Sequence, residues 1–423
     1  MTDQGTPHGG RRLSTKEAAE LLGVKPETVY AYVSRGQLSS SRGAGSRGST
    51  FDAKEVEALA RRNRREPAAP TTANELSVRT RITLIDKDRY YFRGVDAAQL
   101  ALTHSYEEVA EWLWTGALRP GITFTAPKET VATARRAVNA LPEHSGPTDR
   151  LRVAAISAAT ADPLRFDLSE EAVIGTGRSL IPTLVAALPP VLSGHRDEGP
   201  LARRLWARLT GRKPDAASLH ALDTALALLV DHDLAASTLA VRVAASARAH
   251  PYAAVSAGLG VLEGPLHGAA SGMAHRMLLD VLDRGNATPV IADELRAGRR
   301  VPGLGHRLYP GEDPRAQALF GLLEELPSAG PALAAARDVV ATTARHTNLH
   351  ANVDLALAVL SASSGMPAEA GETIFAVART AGWIAHALEE YDERPLRMRP
   401  SGQYVGARPP QPLPTSSSSF DEA

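Results

Sequence analysis

The stretch Gly264-Pro265-Leu266-His267-Gly268-Ala269-Ala270, or GPLHGAA, decides how this 423-residue chain is interpreted. Gly-Pro before the histidine and Gly after it predict a sharp bend. An apolar pattern with helical spacing follows at once, at Met273, Met277, Leu278, Val281 and Leu282. His267 is therefore predicted to stand at a bend that opens a helix. The positive end of the helix dipole disfavours an imidazolium there and leaves a neutral ring that can donate a hydrogen bond.

The composition excludes several kinds of site. The chain has no cysteine, which rules out disulfides, thiolate metal sites and cysteine nucleophiles. No apolar run is long enough to span a membrane and no signal-peptide core is present, so we expect a cytoplasmic protein. Lys+Arg and Asp+Glu are balanced at 47 each, but residues 1–70 hold 12 basic and 8 acidic residues, a net of +4.

Residues 11–66 predict a small winged helix-turn-helix module. Ser14 and Glu17 form a capping box, Gly23 ends the first helix, and Pro26 opens the second. The segment Ser39–Ser49 is interpreted as a flexible basic wing, Phe51 as a strand residue, and Asp52 with Glu55 as the next helix cap. The module resembles those of MerR-type regulators and excisionases. DNA binding, if present, is assigned to Arg42, Arg47, Arg61, Arg62, Arg64 and Arg65, and the alternative is a helical appendage with a solvated charge run.

The rest of the chain is predicted to be mostly α-helical. A Pro/Ala/Thr-rich linker spans residues 67–75, and residues 80–93 predict a small hairpin. Helical spacing of apolar residues then recurs almost throughout, and β-branched runs are rare. The Pro- and Ser-rich residues 409–423 predict a disordered tail.

Four stretches place polar groups where a core helix does not need them. They are Val230-Asp231-His232-Asp233, taken as part of a helix from Leu222 to Val230; GPLHGAA; Gly303-Leu304-Gly305-His306-Arg307-Leu308-Tyr309 with Asp313-Pro314-Arg315; and Asn352-Val353-Asp354. Each has a structural alternative. His232 could end its helix, His306 could be an exposed loop residue, and Asp354 could be the cap of the helix after it.

Taken together, the four stretches resemble the citrate synthase family. GPLHGAA is similar to the family's GP-x-HGGA, GLGHRLYPGEDPR to its G-x-GHR-x-Y…DPR, and Asn352-Val353-Asp354 to its NVD. Phe375 to His386 looks like its FA-x-AR-x-x-GWIAH segment. The similarity runs from about Arg79 to Gly406 and leaves the N-terminal module outside it.

The resemblance implies a fold, a reaction and a set of site residues. The fold is a two-domain helical body: a large domain at 76–269 and 379–408, and a small domain at 270–378, closing on each other. The reaction joins acetyl-CoA, as cosubstrate, to oxaloacetate, with no metal or further cofactor, in a homodimer or a higher homo-oligomer. Asp354 is then the base, His267 the enolate hydrogen-bond donor and His306 the donor to the ketone oxygen. The implied ligands of oxaloacetate are His232, Arg315, Arg379 and Arg399, the last from a second copy of the chain.

Several departures leave the substrate open. The family's HGGAN is HGAAS here, with Ala269 and Ser271 in place of Gly and Asn, and Leu355-Ala356-Leu357 follows NVD. The alternatives are a 2-methylcitrate synthase that uses propionyl-CoA and a DNA-binding regulator whose synthase-like body is a ligand sensor. The second is disfavoured because a sensor needs the arginines but not a base.

Overall fold

The computed structural model describes residues 11–34, 38–42, 49–63, 78–264, 268–400, 405–408 and 410–411. The chain divides into two compact units, Met1–Arg79 and Thr80–Ala423. The predicted linker at 67–75 lies outside the described residues, and the division falls just after it. The split of the second unit into large and small domains stays a prediction.

In its described residues, the N-terminal unit combines three helices with a three-stranded antiparallel sheet in the order β1-β3-β2. Its elements are β1 (Arg12–Ser14), α1 (Thr15–Leu22), α2 (Pro26–Ser34), β2 (Ser40–Arg42), β3 (Ser49–Asp52) and α3 (Ala53–Asn63). The predicted capping box is present, and the predicted stop residue Gly23 adopts φ +66°, which favours glycine. The helix-turn-helix prediction is therefore confirmed for the described residues.

The wing of this unit differs in part from the prediction. Residues 40–42 and 49–52 are paired strands rather than a flexible segment, while 43–48 lie outside the described residues. Strand β1 was not predicted; Leu13 pairs with Phe51 and both side chains are buried. Asp52 caps α3 by accepting from the Lys54 N–H at 2.8 Å, but Glu55 accepts from the Ser39 N–H at 2.9 Å instead of completing that cap.

The second unit begins with the predicted hairpin and continues as helices. Strands β4 (Thr83–Asp86), β5 (Arg89–Phe92) and β6 (Val95–Asp96) form an antiparallel sheet in that order, the last strand being unpredicted. The helices are α4 (Ala97–Thr103), α5 (Tyr106–Thr115), α6 (Lys128–Asn139), α7 (Pro147–Thr160), α8 (Glu170–Ala187), α9 (Leu201–Leu209), α10 (Ala216–Leu228), α11 (Ala236–Ser246), α12 (Pro251–Leu262), α13 (Ala270–Arg284), α14 (Ala287–Arg296), α15 (Pro314–Glu324), a short 3-10 helix (Pro327–Ala329), α16 (Gly330–Ala344), α17 (Val353–Ser363) and α18 (Ala370–Tyr391).

Helix α18 runs through the core of this unit. It packs against α5, α8, α11 and α12, and it is apolar on nearly every side, as expected of a fully surrounded helix. Gly382 allows the closest approach, since a Cβ there would lie 2.2 Å from the carbonyl oxygen of Val230. None of the described helices is both long and apolar enough to cross a membrane.

The prediction that the helix before His232 reaches Val230 is wrong. Helix α10 ends at Leu228. The carbonyl of Leu229 accepts from Arg379 Nε at 3.0 Å, and that of Val230 accepts from the Gly382 N–H at 3.1 Å. These carbonyls are bound to α18, so the chain leaves the helix early and residues 229–235 form an irregular connection.

Candidate active site

Two irregular segments that carry predicted site residues are bound to each other. Leu304 and Ala351 form an isolated antiparallel bridge, and the Gly305 N–H donates to the carbonyl of His350 at 2.7 Å. The Asn352 N–H donates to the carbonyl of Gly303 at 3.0 Å. The loop with His306 and the start of α17 therefore form one local structure.

Asp354 lies in the first turn of α17 and does not cap it. The cap is Asn352, whose side-chain oxygen accepts from the N–H groups of Asp354 and Leu355 at 3.0 and 3.4 Å. The alternative in which Asp354 caps α17 is thus excluded, because the Asn352 side chain performs the capping and the Asp354 carboxylate does not. Burial raises the pKa of Asp354 to about 6, and the nearby guanidinium of Arg315 limits the rise.

His306 is half-buried and its hydrogen bonding fixes its tautomer. Its Nδ1 accepts from the Leu308 N–H at 3.1 Å. Burial lowers the pKa of His306 to about 4, and Arg315 adds to that effect, so the ring is neutral near pH 7. A neutral ring that accepts at Nδ1 carries its proton on Nε2, which makes Nε2 a hydrogen-bond donor.

His232 meets His306 edge to face, with ring centroids 5.0 Å apart. Its Nε2 lies 2.7 Å from the hydroxyl of Tyr309, a residue of the His306 loop. Burial lowers the pKa of His232 well below its usual value, and the charges of Arg315 and Arg379 lower it further. The structure thus brings two predicted site histidines together as neutral rings, and the ring of Tyr309 packs against both of them.

Arg315 is buried and already paired. Its Nε and one terminal nitrogen donate to the two carboxylate oxygens of Asp313 at 3.0 and 2.8 Å. Burial lowers the pKa of Arg315, but the carboxylate of Asp313 outweighs that effect and raises the pKa above its ordinary value. The same carboxylate accepts from the Val353 N–H at 3.0 Å, beside Asp354. This predicted clamp residue therefore also holds the start of α17 in place through Asp313.

Arg379 is a buried cation with few partners. Among the residues that the structure describes, its guanidinium makes one hydrogen bond, from Nε to the carbonyl of Leu229, and lies 4.5 Å from the centroid of the Phe375 ring. Burial lowers the pKa of Arg379 to about 10. A buried guanidinium with so many free donors is suited to binding a carboxylate.

Other predicted site residues either lie outside the described residues or make no described contact with this cluster. His267 lies outside the described residues, although α13 starts soon after it, at Ala270. Arg399 is exposed and has no described contact with the cluster. For DNA binding, Arg47, Arg64 and Arg65 lie outside the described residues, as do the side chains of Arg42, Arg61 and Arg62.

Sequence reasoning gave no role to four residues that organise the site. Tyr309 links the two histidines, Asp313 pairs with Arg315, Asn352 joins the loops, and Asp231 is buried beside His232. The sequence signal that could have identified these four residues is that each lies within one of the four polar stretches. A surface cleft of about 330 Å³ elsewhere, where Asp197 binds Arg135 and Arg208, is lined by none of the predicted site residues.

Together these residues form a polar cluster inside a helical body. Neutral imidazoles, a carboxylate of raised pKa and buried guanidiniums can bind a small dicarboxylate, donate a hydrogen bond to a carbonyl and remove a weakly acidic proton. Residues 72–401 match the family described as citrate synthase, C-terminal domain, and residues 12–64 match the helix-turn-helix domain family.

Individual relatives agree with these matches. A citrate synthase from Haloferax volcanii is 32% identical over 358 residues, which cover 79% of this chain and 94% of the relative. A 2-methylcitrate synthase from Shewanella oneidensis is 28% identical over 346 residues, with 76% and 90% covered. The crystal structure of citrate synthase from Pyrobaculum aerophilum matches with a TM-score of 0.68 at 26% identity, with 80% of this chain and 92% of that one covered.

Proposed function

The chain belongs to the citrate synthase family, and we propose that it condenses acetyl-CoA with oxaloacetate and hydrolyses the product thioester, giving citrate and CoA. The observation that carries the proposal is the cluster of His232, His306, Arg315 and Arg379 around Tyr309, with Asp354 held beside it. A cluster with only a structural role does not require a buried cation, with donors that no described residue accepts from, next to two neutral histidines.

The first step is removal of a proton from the methyl group of acetyl-CoA. Asp354 takes that proton, and its raised pKa makes it a stronger base than an exposed aspartate while leaving it mostly ionised near pH 7. The family resemblance assigns His267 to the hydrogen bond on the developing enolate oxygen.

The second step forms the new carbon–carbon bond. The enolate carbon attacks the ketone carbon of oxaloacetate, and the ketone oxygen takes a proton from Nε2 of His306, the atom that its Leu308 contact leaves as donor. Water then attacks the citryl thioester, the carbon–sulfur bond breaks, and CoA leaves as the thiol with a proton from that water, while the new carboxylic acid releases its proton to solvent. The proton that Asp354 took replaces the one that His306 gave up, so both groups return to their starting states.

Oxaloacetate carries two negative charges and needs a positive site. Arg379 supplies guanidinium donors that no described residue accepts from, and Arg315 can use the nitrogen that Asp313 does not occupy. His232 contributes a neutral ring, and Arg399 is assigned to the site of a second copy in a homodimer. Neutralising a dianion in a buried site is the main electrostatic task of these groups.

Release of CoA thiol, measured with oxaloacetate and either acetyl-CoA or propionyl-CoA, tests the proposal. We expect turnover with acetyl-CoA at higher kcat/KM. One methylene in an apolar pocket changes kcat/KM by only about 10- to 200-fold, so both donors are measured. A preference for propionyl-CoA makes the protein a 2-methylcitrate synthase, the activity named for the Shewanella relative. Binding without turnover of either donor favours the sensor alternative.

The N-terminal unit carries a second, separate proposal, DNA binding. It rests on the helix-turn-helix match and on the sheet of β1, β2 and β3, where Arg12 donates to Thr50 and has no acidic partner among the described residues. A salt titration of duplex binding by the full chain tests it. Affinity should fall with a log–log slope of about −0.9 for each phosphate contacted, and a chain starting at Asn74 should lose binding but keep synthase turnover. No binding at low salt rejects it.

A further inference from the structure

The irregular segment 229–232 is anchored residue by residue to three other parts of the body. The carbonyls of Leu229 and Val230 are bound by α18, and His232 contacts Tyr309 in the His306 loop. Asp231 is the remaining residue of segment 229–232, and its carboxylate is fully buried. Arg379 and His232, two groups proposed to bind oxaloacetate, are both attached to this segment.

Among the described residues, two side chains donate to the buried carboxylate of Asp231. The Thr83 hydroxyl on β4 donates to Oδ2 at 2.5 Å, and His386 Nε2 on α18 lies 3.2 Å from Oδ1. Burial raises the pKa of Asp231, but His386 and Arg379 outweigh it and hold the pKa below its usual value. The group is therefore an ionised carboxylate enclosed by protein.

His386 has a single possible tautomer when neutral. Its Nδ1 lies 2.7 Å from a terminal nitrogen of Arg242, and a guanidinium can only donate. Nδ1 must accept, so the ring proton is on Nε2 and points to Asp231. Arg242 is itself fixed by Glu389 at 2.8 Å and Glu390 at 3.2 Å. A continuous chain of hydrogen bonds thus runs from α11 to the segment that bears His232.

We propose that Asp231 and His386 are positioning residues for oxaloacetate: they hold segment 229–232 so that Arg379 and His232 face the substrate. This inference rests on the proposed function of the site. Neither residue is assigned a contact with substrate. Gly382 fits the same role, because any side chain there would also collide with Asp231, whose Cβ and Oδ1 lie 2.9 Å from the Cβ position.

The test compares His386→Leu with His386→Gln. Leucine removes both hydrogen bonds of the ring, whereas glutamine keeps one nitrogen donor for Asp231 and one oxygen acceptor for Arg242. We expect His386→Leu to raise the oxaloacetate Kd and KM about tenfold or more, because a buried charge loses a hydrogen bond. The KM for acetyl-CoA should not change, and His386→Gln should restore most of the oxaloacetate affinity.

His275→Leu is the matched control. His275 is also buried and also makes a 2.7 Å side-chain hydrogen bond, to Ser361, but it does not touch segment 229–232. It should leave oxaloacetate affinity unchanged. If His386→Leu does not fold, Thr83→Val removes only the hydroxyl donor to Asp231 and should weaken oxaloacetate binding in the same direction.

Calorimetry of oxaloacetate binding separates the possible failures. A folded His386→Leu chain with unchanged oxaloacetate affinity overturns the inference, and so does an equal loss for both substrates that glutamine does not restore. A wild-type chain that binds oxaloacetate but never releases CoA contradicts the proposed function alone. In that case the binding measurements on the variants still decide the positioning role.

Discussion

The side-chain amide of Asn352 donates to the carbonyl oxygen of Gly305 at 2.9 Å, directly before His306. The oxygen of the same side chain accepts from the N–H of Asp354 at 3.0 Å. One side chain therefore fixes the proposed proton donor relative to the proposed base, across two loops that are far apart in sequence.

Replacing Asn352 by alanine is expected to reduce kcat about 10- to 100-fold, because it loosens the geometry of His306 and Asp354. It also removes the cap of α17, at about 1 kcal/mol of stability. Asn286→Ala is the control, since Asn286 caps α14 by accepting from the Thr288 N–H at 2.8 Å and is exposed. Urea denaturation should show a loss for Asn352→Ala at least as large as for Asn286→Ala, because Asn352 also donates to Gly305. Only Asn352→Ala should lower kcat, and equal kcat values for the two variants would refute the proposed link between His306 and Asp354.

The pH profile should report the ionisation of Asp354. Only the carboxylate can accept the methyl proton, so kcat/KM for acetyl-CoA should rise through a pKa of about 6 and then level off. His306, with a pKa of about 4, is already neutral over that range and should add no second step. A profile that stays flat down to about pH 5 would show that Asp354 is not the base.

The raised pKa of Asp354 also predicts that removing its charge by mutation increases the free energy of unfolding. The folded-state pKa of about 6 exceeds the ordinary 3.8, so the folded chain holds this proton more tightly than the unfolded chain. The resulting penalty on folding is absent at low pH, grows as pH rises towards about 6 and is complete above it. It amounts to at most about 3 kcal/mol.

Asp354→Asn should therefore stabilise the protein at pH 8 and change little at pH 4, in urea denaturation without substrates. Asp280→Asn, which removes the same charge from an exposed position on α13, is the control and should show no such dependence on pH. If the two substitutions change stability equally at both pH values, burial of the ionised Asp354 carboxylate does not destabilise the folded protein.

Replacing Arg315 or Arg379 by alanine should weaken oxaloacetate binding in both cases but should lower stability by different amounts. Each alanine variant is expected to weaken oxaloacetate binding more than CoA binding. Arg315→Ala also leaves Asp313 buried without its partner and should cost about 3–5 kcal/mol of stability. Arg379→Ala removes a cation with one described hydrogen bond and should cost less. Calorimetry measures oxaloacetate binding by both variants. Unchanged affinity in both would show that Arg315 and Arg379 do not bind oxaloacetate.

Local sequence signals predicted much of the fold. The capping box at Ser14, the stop at Gly23 and the hairpin before residue 93 depend on neighbours in sequence, and the structure confirms them. Strands β1 and β6 could not be predicted because they are short and exist through pairing with partners. The early end of α10 at Leu228 depends on donors from α18, about 150 residues away.

The same contrast holds for the site. The family resemblance of the polar stretches and of the Phe375–His386 segment implied the chemistry, and His232, His306, Arg315 and Arg379 do lie together. Spacing along the chain could not show that Arg315 is paired with Asp313 or that Asp231 is held by Thr83 and His386. Those contacts join separate elements, and no periodic pattern encodes them.

The central claim is that this cluster makes citrate with Asp354 as the base. The most direct measurement is mass spectrometry of the product formed from carbon-13-labelled acetyl-CoA and unlabelled oxaloacetate by the wild-type chain and by Asp354→Asn. We predict labelled citrate and free CoA with the wild-type chain, and none with the variant although it still binds oxaloacetate. Equal citrate formation by the two proteins, or none by the wild-type chain, would contradict the account.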